Sequence, residues 1–244
     1  DEGFPNEVVL SAAWVVGLLM ALFVGLVRHA PSVSARAAVG LARPARRAGA
    51  FIVLGVLVGG ALGAVGADLM LWMWDAFPRA PLTAEEQSLV AQLAPSGWFA
   101  VAIVQVVHHL GKPVLEESLF RGLMQPKLGE SVGPWRAFLF TGGLYIAPLA
   151  VFPYGMPAGL LLAVSAGLLV WWTRSTWVAI FCHVTFVASR ELVLRVAEPG
   201  RAADTAAFYR LPGAALAFLF GTAVLGLFLT WKLQSRLQDH EVRP

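Results

Sequence analysis

Charged side chains are scarce in this sequence, since Asp, Glu, Lys and Arg together make up 14% of its 244 residues. A soluble domain carries about 25%, so the shortage is too large for a surface that faces water. Hydrophobic residues make up 58% of the chain, and several apolar runs reach the roughly 20 residues that a helix needs to cross a bilayer. The composition therefore excludes a soluble globular domain and predicts an integral membrane protein.

Cysteine is nearly absent, because Cys182 is the only one. A single cysteine excludes an internal disulfide and any CxxC metal motif, and its place inside an apolar run indicates a small buried side chain. The net charge of +3 does not indicate nucleic-acid binding, because the basic residues lie in short segments beside apolar runs, where topology signals are found. We therefore expect a lipid bilayer around the protein and no nucleic-acid partner.

The apolar runs predict an all-α fold, a polytopic transmembrane helix bundle of about seven spans, because lipid offers the backbone no water to bond with. The chain is interpreted as a single transmembrane domain, 1–244, without internal repeats. Its first run has an acidic leader and is longer than the core of a signal peptide, which indicates a retained span. The predicted spans are 8–27, 50–74, 98–124, 135–151, 156–172, 176–196 and 211–232.

The positions of lysine and arginine predict the orientation of the bundle. With seven spans, the basic loops 28–49 and 125–136 and the C-terminal tail all fall on one side of the membrane. The positive-inside rule then places the N-terminus outside and the C-terminus inside, and a composition rich in Ala, Arg and Gly suggests a bacterial inner membrane. Three glycines spaced as GxxxG predict close helix packing in the second span: Gly55, Gly59 and Gly63.

Two predicted spans contain ionisable residues that hydrophobicity does not explain. Charges inside a span are costly, and they indicate a functional site. Those of the third span are His108, His109, Lys112, Glu116, Glu117 and Arg121. Those of the sixth span are His183, Arg190, Glu191 and Arg195.

The helical period determines which of these side chains can meet. Glu117 and Arg121 are four residues apart and can pair along one face. Glu116 points about 100° away, on the stripe of Lys112 and His109. One carboxylate is then held by a guanidinium, while the other is free to activate water as a general base. A purely structural ion pair is the alternative interpretation.

Estimated depth in the membrane brings three kinds of side chain to one level. Glu116 lies roughly 12 Å from the inner end of its span, and His183 and Tyr145 lie at a similar depth in two other spans. We therefore expect a carboxylate, an imidazole and a phenol to converge on one cavity, although hydrogen-bonded packing also accounts for a histidine in a span. Neither Ser118 nor Cys182 is placed like a nucleophile, so no covalent intermediate is expected.

The sequence resembles a known family at these positions. Residues 116–121 read E-E-x-x-x-R, and the run 177–183 ends in His183. Both are similar to motifs of the CAAX protease and bacteriocin-processing family of intramembrane glutamic endopeptidases, over roughly residues 98–196, the protease-like core. The resemblance implies proteolysis of a membrane-anchored protein or peptide by glutamate-activated water, without a metal or cofactor.

The resemblance also implies roles for four residues. Glu116 is the general base that activates a water molecule. Glu117 and Arg121 orient this base or bind substrate. His183 holds the water or stabilises the tetrahedral oxyanion.

Two positions depart from the family pattern. The second motif, F-x-x-x-H, matches a stretch from Phe140 to Leu144 that contains no histidine, and the asparagine of the third motif, H-x-x-x-N, is Val187 here. Tyr145 and His109 are candidates to supply the missing polar groups. The alternative is a catalytically inactive pseudoprotease that serves as a membrane scaffold or binds a partner.

Two further functions stay open at this point. A metal-dependent peptidase could draw its ligands from the histidines and glutamates of these spans, although the sequence has no H-E-x-x-H. A transporter with a buried proton relay would need polar residues along a whole path. In this chain they concentrate in two spans, and no inverted repeat is visible.

Overall fold

The computed structural model describes residues 17, 48–76, 106–151, 155–197 and 211–241, which are helical apart from short turns and contain no strand. The predicted all-α fold is therefore confirmed for these segments. The α-helices are α1 Ala48–Ala76, α2 Lys112–Glu117, α3 Gln125–Val132, α4 Pro134–Ile146, α5 Met156–Thr173, α6 Thr176–Ala197 and α7 Gly213–Glu241. Two π-helical turns, Val107–Gly111 and Ser118–Met124, flank α2, and a 3₁₀ segment, Ala147–Val151, follows α4.

Four of the described helices are long and apolar enough to cross a membrane: Gly49–Met73, Met156–Thr173, Thr176–Leu194 and Gly213–Arg236. They coincide with four of the predicted spans, and the protein is an integral membrane protein. The predicted span 8–27 lies outside the described residues except for Gly17, and the span 98–124 is described only from residue 106, in shorter helical pieces. The count of about seven spans stays a prediction.

The segment predicted as the loop 125–136 is helical over most of its length, so that prediction is wrong. Helix α3 follows the second π turn directly and ends at Gly133, whose φ of +88° favours glycine. The polar residues of this segment therefore do not mark the end of a helix. Lys127 and Glu130, three residues apart, form an exposed ion pair with a separation of 3.0 Å, which belongs to one face of a helix.

Helices α1 and α6 approach each other more closely than side chains allow. A Cβ atom at Gly59 would overlap the backbone carbonyl of Cys182, and the glycines one turn away on either side meet the same helix in the same manner. Thr185 Oγ1 also donates to the carbonyl oxygen of Val56 across this contact, at 3.3 Å. The close packing predicted from the GxxxG spacing is therefore confirmed.

Contacts between helices also fix their relative directions. Residues 55, 59 and 63 of α1 meet residues 178, 182 and 186 of α6, so these two helices are parallel. Arg121 and Gln125 bond to the carbonyl groups of Ala163 and Gly167, so the segment 107–132 is parallel to α5. A two-residue turn joins α5 to α6 and reverses the chain. The segment 107–132 is therefore antiparallel to α6.

A buried acid in α1, which the sequence analysis did not single out, ties this helix to the beginning of α7. Asp68 is 7% exposed, and its Oδ1 atom accepts the backbone N–H of Leu211 at 3.1 Å. This N–H precedes the first turn of α7, where backbone donors lack intrahelical partners. Asp68 thus acts as a cap supplied from another helix.

The hydrophobic interior has two parts with the polar residues between them. The larger part joins α1, α5 and α6 and includes Val58, Leu62, Leu169, Cys182 and Phe186. The smaller part surrounds the second π turn and consists of Leu119, Phe120 and Leu123. Tyr145 packs against both parts.

Candidate active site

The two adjacent glutamates lie on α2, a short helix between two π-helical turns. The backbone N–H of Lys112 bonds to the carbonyl of Val107, and that of Gln125 bonds to the carbonyl of Phe120, each across the five-residue spacing of a π turn. Pro113 follows the first π turn and has no N–H to offer. Single π turns are rare and are frequent at functional sites. Here they set the rotation of the glutamates about the helix axis.

Glu117 is held from two sides. It is 1% exposed, and its Oε1 atom lies 2.9 Å from Nδ1 of His183. Its Oε2 atom lies 3.6 Å from Nε of Arg121, so the pairing predicted from the four-residue spacing is confirmed. A carboxylate against Nδ1 favours the tautomer with its proton on Nδ1. In that tautomer, Nε2 of His183 carries a free lone pair.

Arg121 anchors this part of the chain to α5. It is 1% exposed, its Nη2 atom donates to the carbonyl oxygen of Ala163 at 3.0 Å, and its guanidinium carbon lies 5.4 Å from the ring centre of Tyr145. One turn later, Gln125 Nε2 bonds to the carbonyl of Gly167 at 3.4 Å. Two polar side chains at helical spacing thus fix the register between this segment and α5.

Glu116 faces the interior, but it is not the free carboxylate that the helical period predicts. It is 2% exposed, and its Oε2 atom accepts the hydroxyl of Tyr145 at 3.4 Å. The same oxygen lies 3.7 Å from Nε2 of His183, while Oε1 lies 3.8 Å from Nζ of Lys112. The period gives the direction of a side chain, and it cannot show the partners that other helices supply.

Three helices bring the carboxylate, the imidazole and the phenol together. Glu116 comes from α2, Tyr145 from α4 and His183 from α6, and their rings and oxygens meet within hydrogen-bonding or van der Waals distance. Tyr145 stands edge-on to His183 with ring centres 6.1 Å apart, and edge-on to Phe120 at 5.6 Å. The expected convergence is present, while the catalytic roles of these residues stay a prediction.

The two departures from the family pattern have different structural outcomes. Phe140 and Leu144 are 56% and 38% exposed, so the first and last residues of the stretch that aligns with the second motif lie on an exposed face of α4. Tyr145, one residue further on, takes the place that faces Glu116. Val187 is buried in the larger hydrophobic cluster, and it leaves the third motif without its polar group.

The sequence analysis considered four other residues, and the structure describes the side chains of three of them. His109 is half-buried on the first π turn, and its supporting role stays a prediction. The side chain of His108 lies outside the described residues. Ser118 is buried, and Cys182 is buried in the larger hydrophobic cluster. Within the described segments, no group of three His, Cys, Asp or Glu side chains is arranged to hold a metal ion.

Arg190 is a charged residue near the site that the sequence analysis did not assign to it. It lies on α6 within electrostatic range of Tyr145 and Glu116. Its Nε atom is buried and has no hydrogen-bond partner within the part of the chain that the structure describes. The signal was present in the sequence, since Arg190 follows His183 by seven residues, which is two helical turns.

Comparison with known protein families yields a match. Residues 94–189 match the family model described as type II CAAX prenyl endopeptidase Rce1-like. No curated protein and no solved structure matches the chain. The matched stretch contains the glutamate pair, Arg121, Tyr145 and His183, and it confirms the resemblance drawn from the E-E-x-x-x-R motif.

Proposed function

Residues 94–189 have the sequence pattern of the type II CAAX prenyl endopeptidases, and from this premise we propose that the protein is an intramembrane glutamic endopeptidase. Its substrates are membrane-anchored proteins or peptides, cleaved in C-terminal processing, maturation or CAAX-type reactions. The observation that carries the proposal is the separation of 3.7 Å between Glu116 Oε2 and His183 Nε2. This distance exceeds a direct hydrogen bond, and one water molecule can contact both atoms at once.

The surrounding contacts suit Glu116 to the role of general base. Glu117 keeps the proton of His183 on Nδ1, so Nε2 and the carboxylate oxygen of Glu116 are both acceptors. A water between them donates one hydrogen to each and turns its lone pairs outward toward a substrate carbonyl. Tyr145 and Lys112 position the carboxylate, and Arg121 keeps Glu117 in place.

The reaction is a hydrolysis without a covalent enzyme intermediate. The water oxygen bonds to the carbonyl carbon as its proton moves to Glu116, and the carbonyl π electrons become an oxyanion. The C–N bond then breaks when Glu116 returns this proton to the leaving nitrogen. The products are a carboxylic acid and an amine, and Glu116 is again a carboxylate.

The pseudoprotease alternative is favoured by a specific observation. Leu144 and Val187 stand where the family pattern has polar residues, and Val187 is buried among hydrophobic side chains. A protein of that kind would keep the fold and the Glu117–Arg121 pair and would bind a membrane partner without cutting it.

Cleavage by Glu116→Gln distinguishes the two functions. In the first measurement, the purified wild type or variant in liposomes is given a fluorogenic peptide with an S-prenylated cysteine followed by three residues. In the second, protein termini are mapped in membranes of parent cells that carry either the wild type or the variant. Loss of a general base lowers the rate by about 10²- to 10⁴-fold. Cleavage by wild type alone is the expected result, and equal termini in both membranes would support the pseudoprotease.

Two controls accompany this assay. Arg136→Gln changes an exposed residue of α4, and we expect wild-type cleavage from it. A chelator arm with EDTA and 1,10-phenanthroline tests the metal-dependent alternative. Activity that survives both chelators fits a glutamic peptidase, whereas activity lost to them and restored by a divalent cation would contradict the metal-independent chemistry.

A further inference from the structure

The proposed water position leaves one requirement of the reaction unmet. His183 Nε2 accepts a hydrogen from the water, so this atom cannot donate one to the oxygen that becomes anionic. The hydroxyl of Tyr145 is already directed at Glu116, at 3.4 Å. Preorganised donors at a developing oxyanion are commonly the largest single contribution to catalysis, and another donor is therefore needed.

Arg190 has the properties of such a donor. Its Nε atom is buried and has no hydrogen-bond partner among the described residues, which is costly for a charged group unless another group uses it. Arg121 also has unpartnered nitrogens, but its guanidinium is tied to Ala163 and lies beside Glu117. Arg190 has no comparable tie to the backbone of another helix among the hydrogen bonds of the described segments.

The direction of the helices brings Arg190 toward the reacting atoms. A helical side chain leans toward the N-terminus of its helix, so Arg190 leans back toward His183, about 10 Å away along α6. Helix α2 is antiparallel to α6, so Glu116 leans toward Arg190. The two charges are within electrostatic range of each other. During the reaction Glu116 takes up a proton and loses its negative charge, while a negative charge forms on the carbonyl oxygen. One nearby cation can stabilise first the carboxylate and then the oxyanion.

We infer that Arg190 is a catalytic residue that donates its Nε hydrogen to the carbonyl oxygen of the scissile bond and stabilises the oxyanion. The inference rests on the proposed function, because it assigns the place of the carbonyl oxygen. The carbonyl oxygen then points toward the Arg190 end of the site, and the water attacks from the side of Glu116 and His183. The carboxylate of Glu191, the next residue, also interacts electrostatically with the Arg190 guanidinium.

The test compares Arg190→Gln, Arg190→Lys and Arg190→Ala with wild type in liposomes, using the S-prenylated peptide. Removing one oxyanion donor lowers kcat by about 10²- to 10³-fold with little change in KM. We expect this loss in the glutamine and alanine variants and a smaller loss with lysine, which retains the charge. Added guanidinium ions should partly restore kcat to Arg190→Ala, a rescue that a merely structural role would not give.

Several outcomes separate this inference from the proposed function. Arg190→Gln with a wild-type kcat would overturn the inference, as would an unrescued Arg190→Ala whose loss follows a lower unfolding temperature. If Arg190→Gln unfolds, the decision falls to Arg190→Lys and to the guanidinium rescue. Full activity in Glu116→Gln would overturn the glutamate mechanism alone, and a loss of kcat in Arg190→Ala that guanidinium restores would still support the oxyanion donor. A wild type that neither cleaves the peptide nor changes the termini in parent-cell membranes would overturn both.

Discussion

Each polar residue of the site has a neighbour that limits what it can do. Glu117 lies between His183 and Arg121, and its carboxylate holds both side chains in position. Glu116 contacts a phenol, an imidazole and an ammonium group, and its Oε2 atom is 3.7 Å from Nε2 of His183, where the proposed water is placed. The different roles proposed for the two adjacent glutamates thus follow from the helices that each one faces.

Tyr145 tests the positioning of the proposed base. Tyr145→Phe removes the hydroxyl that bonds to Glu116 at 3.4 Å and keeps the ring contacts with His183 and Phe120. A hydrogen bond contributes about 1 kcal/mol, so kcat should fall by about fivefold, and the free energy of unfolding should fall by no more than about 1 kcal/mol. Peptide cleavage and thermal unfolding in detergent measure the two effects. A wild-type kcat would show that the hydroxyl does not position the base.

Arg121 tests the stability of the buried ion pair. Arg121→Met leaves Glu117 buried without its cation and removes the bond to Ala163, and breaking a buried pair in this way costs about 3–5 kcal/mol. The matched control is Lys127→Met, which breaks the exposed pair with Glu130 and should cost at most about 1 kcal/mol. Unfolding of both variants in detergent is the measurement, and equal losses would contradict the prediction.

The sequence predicts part of the site because helical spacing is local information. A spacing of four residues places Arg121 beside Glu117 on one helix face. The estimated depth in the membrane places Tyr145 and His183 near the level of Glu116. The partners of Glu116 could not be predicted, because they come from the rotation of α4 and α6. Arg190 was visible as an ionisable residue in a span, but only contacts between helices relate it to Glu116.

At the scale of the helix, the contact of α1 with α6 supports the histidine. His183 follows Cys182, whose carbonyl group lies against Gly59. Any widening of this contact moves α6 and therefore the imidazole. The glycines of α1, which have no chemistry of their own, thus contribute to the geometry of the site.

Two adjacent glycines provide a direct test of this support. At Gly59 an added Cβ would overlap the carbonyl of Cys182, whereas at Gly60 it would meet nothing within 4 Å. Gly59→Ala should destabilise the protein by about 1–3 kcal/mol through overpacking and reduce cleavage. Gly60→Ala should be neutral or stabilise α1 by less than about 1 kcal/mol. Unfolding and cleavage are measured in parallel, and similar behaviour of the two variants would refute the close contact.

Helix positions were more predictable than helix ends and helix type. Apolar runs predicted α1, α5 and α6 within a few residues, because crossing a membrane demands a continuous apolar length. The run 211–232 predicted the start of α7, but this helix continues through the polar tail to Glu241. The helix α3 was missed because its exposed charges resemble a loop. The amino-acid composition does not indicate the two π turns, since they differ from an α-helix only in hydrogen bonds that span five residues instead of four.

At the scale of the whole molecule, the alternation of helix directions agrees with the predicted crossing pattern. The orientation in the membrane stays a prediction and can be tested by labelling. Cys182 is 0% exposed, so it gives little background. Glu130→Cys on α3 should be inside and Met156→Cys at the start of α5 outside. In intact cells, a membrane-impermeant maleimide should label only Met156→Cys, and permeabilised cells should label both. The reverse pattern would place the N-terminus inside.

The packing of α1 on the histidine helix has a consequence for how this protein can be divided. Helix α1, Ala48–Ala76, lies outside the stretch 94–189 that matches the family model. A chimera that grafts only the matched stretch into an unrelated bundle would carry every motif residue and still lack the surface that holds His183. The smallest transplantable unit is therefore larger than the stretch that matches the family model.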